Sequence, residues 1–393
     1  VRRISDAERR TRLARRHHLA PAARATDVVK LVSKLVGLHG TDPATVFLST
    51  AARFKRPAQA VTALERALYD DRTLVRTLCM RRTMFVVPTG LVAVVQAACT
   101  DALVPGQRKR LVQEIEANGI ARDGARFLRK LEAETLAAIE ACGEATGTEL
   151  SKAVPGLRAK LSFGEGKTWA GTAGLTTRVL FLLSLEQRVV RGRPKGSWTS
   201  SQYSWSPMDA WLSSAAPSLD AHRARAALVR RWLATFGPAT TLDVKWWTGW
   251  TVAQATRALA DVGALEVAIE EGTGWVLPDD VGAPRQIAPW VALLPALDPT
   301  TMGWQQRGWY LGDHRTAVFD RNGNAGPTVW VDGRVVGGWM QRRGGEIVYE
   351  LLEDVGRVAA TAIRAAAAEL ESRLGDVRVT PRFPTPLQKK LAQ

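Results

Sequence analysis

"TTLDVKWWTGWTVAQATRALADVGALEVAIEEGTGWVLP", from Thr240 to Pro278, divides at its turns into three pieces. "TTLDVKWWTG" predicts a short helix stopped by its glycine, and Thr251 is placed to cap a second helix over "VAQATRALADVG". "LEVAIEEGTGWVLP" alternates like two strands around a turn at Gly272–Gly274. Immediately upstream, "AHRARAALVRRWLATFG" sets Ala227, Leu228, Trp232 and Phe236 at helical spacing and ends at Gly237. Three helices followed by a two-stranded wing form the winged helix-turn-helix, a common DNA-binding unit.

The same order recurs upstream. A second copy spans about 121–217. It has a helix over 125–141, the stretch "TGTELSKAVPGL", a helix over "GTAGLTTRVLFLLSLEQ" and the hairpin "RVVRGRPKGSWTSSQYSW". A first copy, about 4–101, has helices over "VVKLVSKLVGL", "ATVFLSTAARF" and "PAQAVTALERALYD". The hairpin "TLVRTLCMRRTMFVVP" follows, with Arg81 and Arg82 at its tip. From Pro289 the pattern becomes short strands, with Asn322-Gly323 and Asp332-Gly333 as tight turns. An amphipathic helix over 356–374, a final strand "VRVTPRF" and a basic tail complete the chain. The expected fold is therefore mainly α with β. It comprises three tandem winged helix-turn-helix domains (1–118, 119–217, 218–284) and a small C-terminal β-barrel domain (285–393).

Charge bears on the partner. The chain carries 54 Lys+Arg against 38 Asp+Glu, a net charge of +16, which favours a polyanion because each neutralised phosphate releases counterions. Heavy arginine use without such a partner is the bland alternative. The wings differ, however. The third holds Glu266, Glu270 and Glu271 with Asp279 and Asp280 behind it, and reads as scaffold. The second carries Arg188, Arg191, Arg193 and Lys195 among Trp198, Tyr203 and Trp205, which suits a phosphate and sugar track. Its aromatics would equally well pack on a neighbouring domain. Arg76, Arg81 and Arg82 of the first hairpin, and Gln341, Arg342 and Arg343 at a tip in the last domain, are further candidates for DNA contact. Cys79, Cys99 and Cys142 lack disulfide or zinc spacing. The arginine-rich start has no apolar segment behind it, and the longest strongly apolar run, "VLFLLSL" (179–185), is far below the ~20 residues of a membrane span. A cytoplasmic, nucleoid-associated monomer without membrane contact is expected.

Three stretches carry a resemblance: "LVGLHGTDPATVFLS" (35–49), "LVRTLCMRRTMFVVP" (74–88) and "LLPALD…HRTAVFD…GPTVWVDGRVVGGWMQRR" (293–343). Over nearly its whole length the chain resembles the bacterial winged-helix DNA glycosylases of the AlkZ-like and YcaQ-like kind. The resemblance implies a concave DNA channel and excision of bulky N-alkylated purines from double-stranded DNA, with crosslink unhooking in some members. The family pattern at the first stretch is Gln, an apolar residue, then Gln or Asp. Here His39, Gly40 and Thr41 stand in its place, followed by Asp42, so neither glutamine is present.

That joint offers two readings. A neutral imidazole at His39 is able to hold a water and take its proton, with Thr41 assisting and Asp42 adding local field. Alternatively, His39 is a helix-end histidine against the dipole, Thr41 a turn residue, and Asp42 with Pro43 a helix start. No Walker loop, HExxH or nucleophile elbow is present, "GTAGLTT" does not follow a predicted strand, and Lys34, Lys130 and Lys152 have no Schiff-base context. The expected activity is monofunctional, metal-independent base excision without a cofactor. The alternatives are a non-catalytic DNA-binding regulator or damage sensor, and a protein-interaction scaffold.

Overall fold

The computed structural model describes residues 1–164, 166, 170–212 and 219–393. The boundary expected at 217 lies outside the described residues. In the first unit, Asp27 caps the helix Val28–Lys34. This helix stops before the predicted "VGL" because Val36 and Gly37 take φ of 62° and 149°, values incompatible with helix continuation and strained for a β-branched residue. The chain then enters a short strand, Leu38–His39, paired with Met84–Pro88 so that His39 lies opposite Phe85. The helix-end reading of His39 is therefore corrected: the joint is an edge strand. Asp42 caps the next helix, Pro43–Ala51, whose nine residues are all buried. The predicted hairpin forms from Leu74–Leu78 and Met84–Pro88 and completes a three-stranded sheet.

The second unit packs the helices Val104–Ala117, Gly124–Cys142, Gly147–Ala153 and Leu175–Leu185 around its own core of Leu128, Ile139, Leu161, Val179 and Leu183. Its hairpin, Val189–Pro194 with Tyr203–Pro207, carries a bulge and joins Ala145–Thr146 in a second three-stranded sheet. The helix expected from Gly171 begins only at Leu175. Gly171–Gly174 instead pairs with Lys160–Phe163, since a Gly-Thr-Ala-Gly segment has little helical preference to set against a strand partner. "GTAGLTT" thus does lie on a strand leading into a helix. A continuous helical run, Thr89–Ala117, is long and apolar enough over one window to cross a membrane. It sets Val92, Val95 and Ala98 into the core, and its later turns carry Arg108, Lys109, Arg110 and Glu114.

The third unit follows its sequence pattern closely: Ala221–Phe236, Thr241–Thr248, Val252–Asp261, then Leu265–Ile269 with Gly272–Val276. Thr240 and Thr251 each make a capping box, which satisfies orphan N–H groups at the helix start. Its acidic wing meets the N-terminal helix Asp6–Arg16. Arg3 pairs with Glu270 at 2.8 Å, Arg9 with Glu271 at 2.6 Å and Arg12 with Asp280 at 2.9 Å. Part of the chain's positive charge is thereby neutralised internally.

At the C-terminus, Val291–Leu294, Thr328–Val331, Arg334–Gln341 and Ile347–Leu351 form an antiparallel sheet in that order. Its first and last strands do not pair, so the expected closed barrel is corrected to an open four-stranded sheet. The helix Gly356–Leu374 covers one face, with Ile363, Ala367 and Leu370 against Val329, Val336 and Trp339. The stretch expected as a final strand is irregular. Gln341 holds it, its Oε1 accepting from Val379 N at 2.9 Å and its Nε2 donating to Val377 O at 3.1 Å. One hydrophobic core runs through the first unit, the third unit and this sheet, built on Phe47, Trp232, Phe236, Trp247, Trp304 and Trp330.

Candidate nucleic-acid interface

Where the first and second units face each other there is an open groove of about 930 Å³. Its lining includes Thr41 from the joint, Arg82, Thr83 and Met84 from the first wing, and Arg191, Lys195, Tyr203 and Trp205 from the second. Lys152, Thr176 and Thr177 come from helices of the second unit, and Arg382 from the C-terminal segment. Five cations thus stand against one carboxylate among the described lining residues, Glu149. That carboxylate is already engaged, pulled down to about 2 by hydrogen bonds from Lys195 and Thr146.

Around the joint the guanidinium groups lack acidic partners. Arg76 is 1% exposed and donates through Nη1 to Gly40 O at 2.9 Å, while its Nε and Nη2 have no partner. Tyr203 carries Arg76 at 4.9 Å and Arg191 at 5.2 Å from its ring, and Arg191 also lies 5.2 Å from Trp205. Burial first, then the adjacent Arg76 charge, pulls Arg191 down to about 10. Arg382 donates through Nη1 to Thr41 O at 3.4 Å. Arg76, Arg191 and Arg382 make no ion pair among the described residues. Stacking on aromatic rings holds such side chains in place while leaving their N–H groups free for an anion.

The remaining candidates separate by position. Asp42 is a buried cap: Oδ1 accepts from Ala44 N at 3.0 Å and Oδ2 from Arg382 N at 3.3 Å. Burial raises its pKa, and neither oxygen is presented to the groove. His39 also departs from expectation. Its ring is 7% exposed and lies beside Leu35, Phe85, Phe236, Trp247 and Met302, with Nδ1 buried and unpartnered. Burial and the Arg81 charge lower its pKa to about 3, so it is a neutral imidazole facing the interior rather than a base facing the groove. The reason is strand geometry: opposite Phe85, the His39 side chain leaves the sheet on the face that packs against Trp247. Only Thr41 of the three joint residues lines the groove.

Arg82 lines the groove, whereas Arg81 turns to the other side of the wing tip. Arg193 and Lys195 are exposed but paired, with Asp70 at 2.9 Å and with Glu149 at 2.6 Å. Arg188 is exposed outside the groove lining. The groove-probing role expected of Gln341 is corrected, because its amide is buried and committed to the backbone bonds described above. Arg342 pairs with Glu346 at 3.3 Å, and neither it nor Arg343 lines the groove. Sequence reasoning missed Arg382 and Lys152. Arg382 sits in "TPRFPTP", which has no cationic clustering to mark it.

Replacing Arg191 by glutamate is expected to flatten the slope of log affinity against log salt by about one to two units, since each lost phosphate contact removes about 0.9. The same change at Arg193 should act more weakly, because Asp70 already neutralises it. Titration of a labelled duplex at several salt concentrations checks both.

Fold and groove together define a DNA-binding protein with its cations gathered in a cleft between helix-and-hairpin units. The profile of the family described as DNA glycosylase AlkZ-like matches residues 32–375, and the chain belongs to that family. Among solved structures it is similar to the Streptomyces sahachiroi DNA glycosylase AlkZ, with a TM-score of 0.72 at 20% identity over 97% of this chain and 100% of that one. No curated protein matches the sequence.

Proposed function

We propose that this protein is a monofunctional, metal-independent DNA glycosylase that removes N-alkylated or bulky purine adducts from duplex DNA, crosslinked adducts included, and acts as a cytoplasmic, nucleoid-bound monomer. The observation that carries the reading is the juxtaposition of Thr41 with the unpaired cations Arg76, Arg191 and Arg382 at the family's catalytic joint. A purine alkylated at N3 or N7 already bears positive charge and leaves as a neutral base, so little acid is needed. What remains is to hold the strand and place a water against a cationic sugar. The Thr41 hydroxyl makes no hydrogen bond among the described residues and stands free to orient that water. Unlike a general base it takes no proton: the departing base needs none, and the proton released when water adds to the sugar passes to bulk solvent through the open groove. In this reading His39 is a positioning residue: it packs behind the strand that delivers Thr41.

The experiment is release of free base from duplexes carrying N3- or N7-alkylated purines, read as alkali-labile sites. Wild type should release base, and Thr41→Val should release it about a hundredfold more slowly, the scale of one lost transition-state contact. DNA affinity should be unchanged. His39→Leu should keep at least a tenth of the wild-type rate. Equal rates for Thr41→Val and wild type would remove Thr41 from the mechanism.

One observation favours a second reading. With His39 turned inward and Asp42 occupied as a cap, the joint presents no titratable base to the groove. That is the arrangement expected of a DNA-binding damage sensor. Tight, salt-dependent binding to alkylated duplex with no base release would decide for it.

A further inference from the structure

The stacked cations of the groove have a counterpart on the other side of the first wing. Arg81 lies 4.1 Å from the centroid of Trp246, and Arg307 lies 4.7 Å from the same ring and 4.7 Å from Phe319. This ladder joins three parts of the chain: the wing tip, the helix Thr241–Thr248, and the connection between the strands Val291–Leu294 and Thr328–Val331 of the C-terminal sheet. Arg307 is only 6% exposed, yet its Nε and Nη2 have no hydrogen-bond partner, and the Nε of Arg81 is likewise unpartnered. Neither side chain makes an ion pair among the described residues. The carboxylate closest in electrostatic effect, Asp243, is consumed elsewhere. Its Oδ1 accepts from the backbone N–H groups of Gln305 and Gln306, and its Oδ2 from Thr240.

Two guanidinium groups held on one ring without an anion are electrostatically unfavourable: burial and the Arg307 charge pull Arg81 down to about 10, and burial, then the Arg315 charge, lowers Arg307. The backbone nonetheless enforces the arrangement. Arg81 adopts φ of 55°, uncommon for a residue with a side chain. Gly249, at φ 83°, leaves it room, because a Cβ there would stand 3.2 Å from the Arg81 Cγ. A buried, unpaired cation pair kept in a strained conformation is the form expected of a preorganised anion site.

We propose that Arg81 and Arg307, stacked on Trp246, form a phosphodiester subsite for DNA outside the groove. Arg82, the next residue, lines the groove itself, so a strand crossing the wing tip meets cations on both sides of it. The subsite rests on the DNA-binding reading above and extends it by bringing the third unit into contact with the strand. It does so through Trp246 and not through the acidic wing, whose Glu270 and Glu271 are taken up by Arg3 and Arg9.

The test compares salt-dependent binding of a labelled duplex by wild type, Arg307→Met, Arg81→Met and Arg191→Met, with thermal unfolding of each. Both Arg307→Met and Arg81→Met should lower the salt slope by about 0.9 and weaken binding about eightfold near 0.1 M salt. Folding should be retained, since methionine fills the volume and removes a buried unpaired charge. An unchanged slope for both, with Arg191→Met still reduced, would overturn the subsite and leave the DNA reading intact. Failure of wild type to bind duplex would overturn the DNA reading itself. Should Arg307→Met not fold, the more accessible Arg81→Met decides alone. Lowered melting temperatures with unchanged slopes would mark the ladder as packing only and overturn the proposal.

Discussion

Truncating Asp298 to alanine is expected to cost about 3–5 kcal/mol of stability, the range for leaving one partner of a buried ion pair uncompensated. Asp298 and Arg53 are both 0% exposed and meet bidentately, Nη1 to Oδ2 at 2.8 Å and Nη2 to Oδ1 at 2.6 Å. Ser49 donates to Oδ2 at 2.7 Å and the Thr300 backbone to Oδ1 at 2.9 Å, so the carboxylate is fully committed. Arg53 lies just beyond the helix Pro43–Ala51, which Asp42 of the joint caps, while Asp298 lies in the turn that follows the strand Val291–Leu294 of the C-terminal sheet. The pair therefore ties the helix behind the joint to the last domain across a sequence separation of 245.

Alanine at 298 would leave a buried guanidinium with nothing to neutralise it, against a total stability on the order of 5–15 kcal/mol. Base release should fall with stability, because the helix that positions Thr41 loses its anchor. The double change Asp298→Ala with Arg53→Leu should recover part of the loss, exposing the coupling between the two sites. Urea midpoints at constant m-value measure all three variants. A cost below about 1 kcal/mol for Asp298→Ala would contradict the buried pair.

Acid sensitivity is the second large effect expected. His39 is held to about 3 by burial and by Arg81, and His17 lies well below its ordinary value through burial and Arg53. At His17 the arrangement is specific. Thr300 Oγ1 accepts an N–H from Arg53 at 2.7 Å and shares a second hydrogen bond with His17 Nδ1, also at 2.7 Å. Its Nε2 is buried without a partner, and the ring stacks on Trp304. Both histidines fold neutral. Below pH ~6.5 the unfolded chain takes up protons that the folded protein refuses, so stability falls as pH falls.

From pH 6.5 to 5 a ring held neutral costs about 1.7 kcal/mol against an unfolded histidine of pKa ~6.5, so the two together cost about 3 kcal/mol. Asp42 and Asp243, raised by burial, act in the opposite direction and offset part of this at the acid end. His39→Leu should roughly halve the decline and should not destabilise the protein at pH 7.5, since it removes a buried unpartnered nitrogen. Denaturation curves at pH 7.5, 6.5, 5.8 and 5 supply the comparison. Constant stability from pH 7 to 5 in the wild type would mean that these rings are not held neutral.

Local chemistry made much of the architecture legible without coordinates. Thr240, Thr251 and Asp42 are caps because their side-chain oxygens satisfy N–H groups within four residues, and the hairpins follow from alternation between turn residues. The acidity of the third wing was plain from its carboxylates, whereas the arginines that pair with it, Arg3, Arg9 and Arg12, lie at the other end of the chain. The site was less legible, because it depends on contacts that periodicity does not encode. Positive φ at Val36 and Gly37 turned an expected helix end into an edge strand, and one strand position sent the His39 ring inward. Arg382 reaches Thr41 across 341 positions. Only the packed chain shows Asp70 beside Arg193, Glu149 beside Lys195, and the Gln341 amide bound to the backbone at Val377. A sequence records which groups are charged or apolar over a few turns of chain; whether a charge is free or already paired is decided only when distant segments pack together.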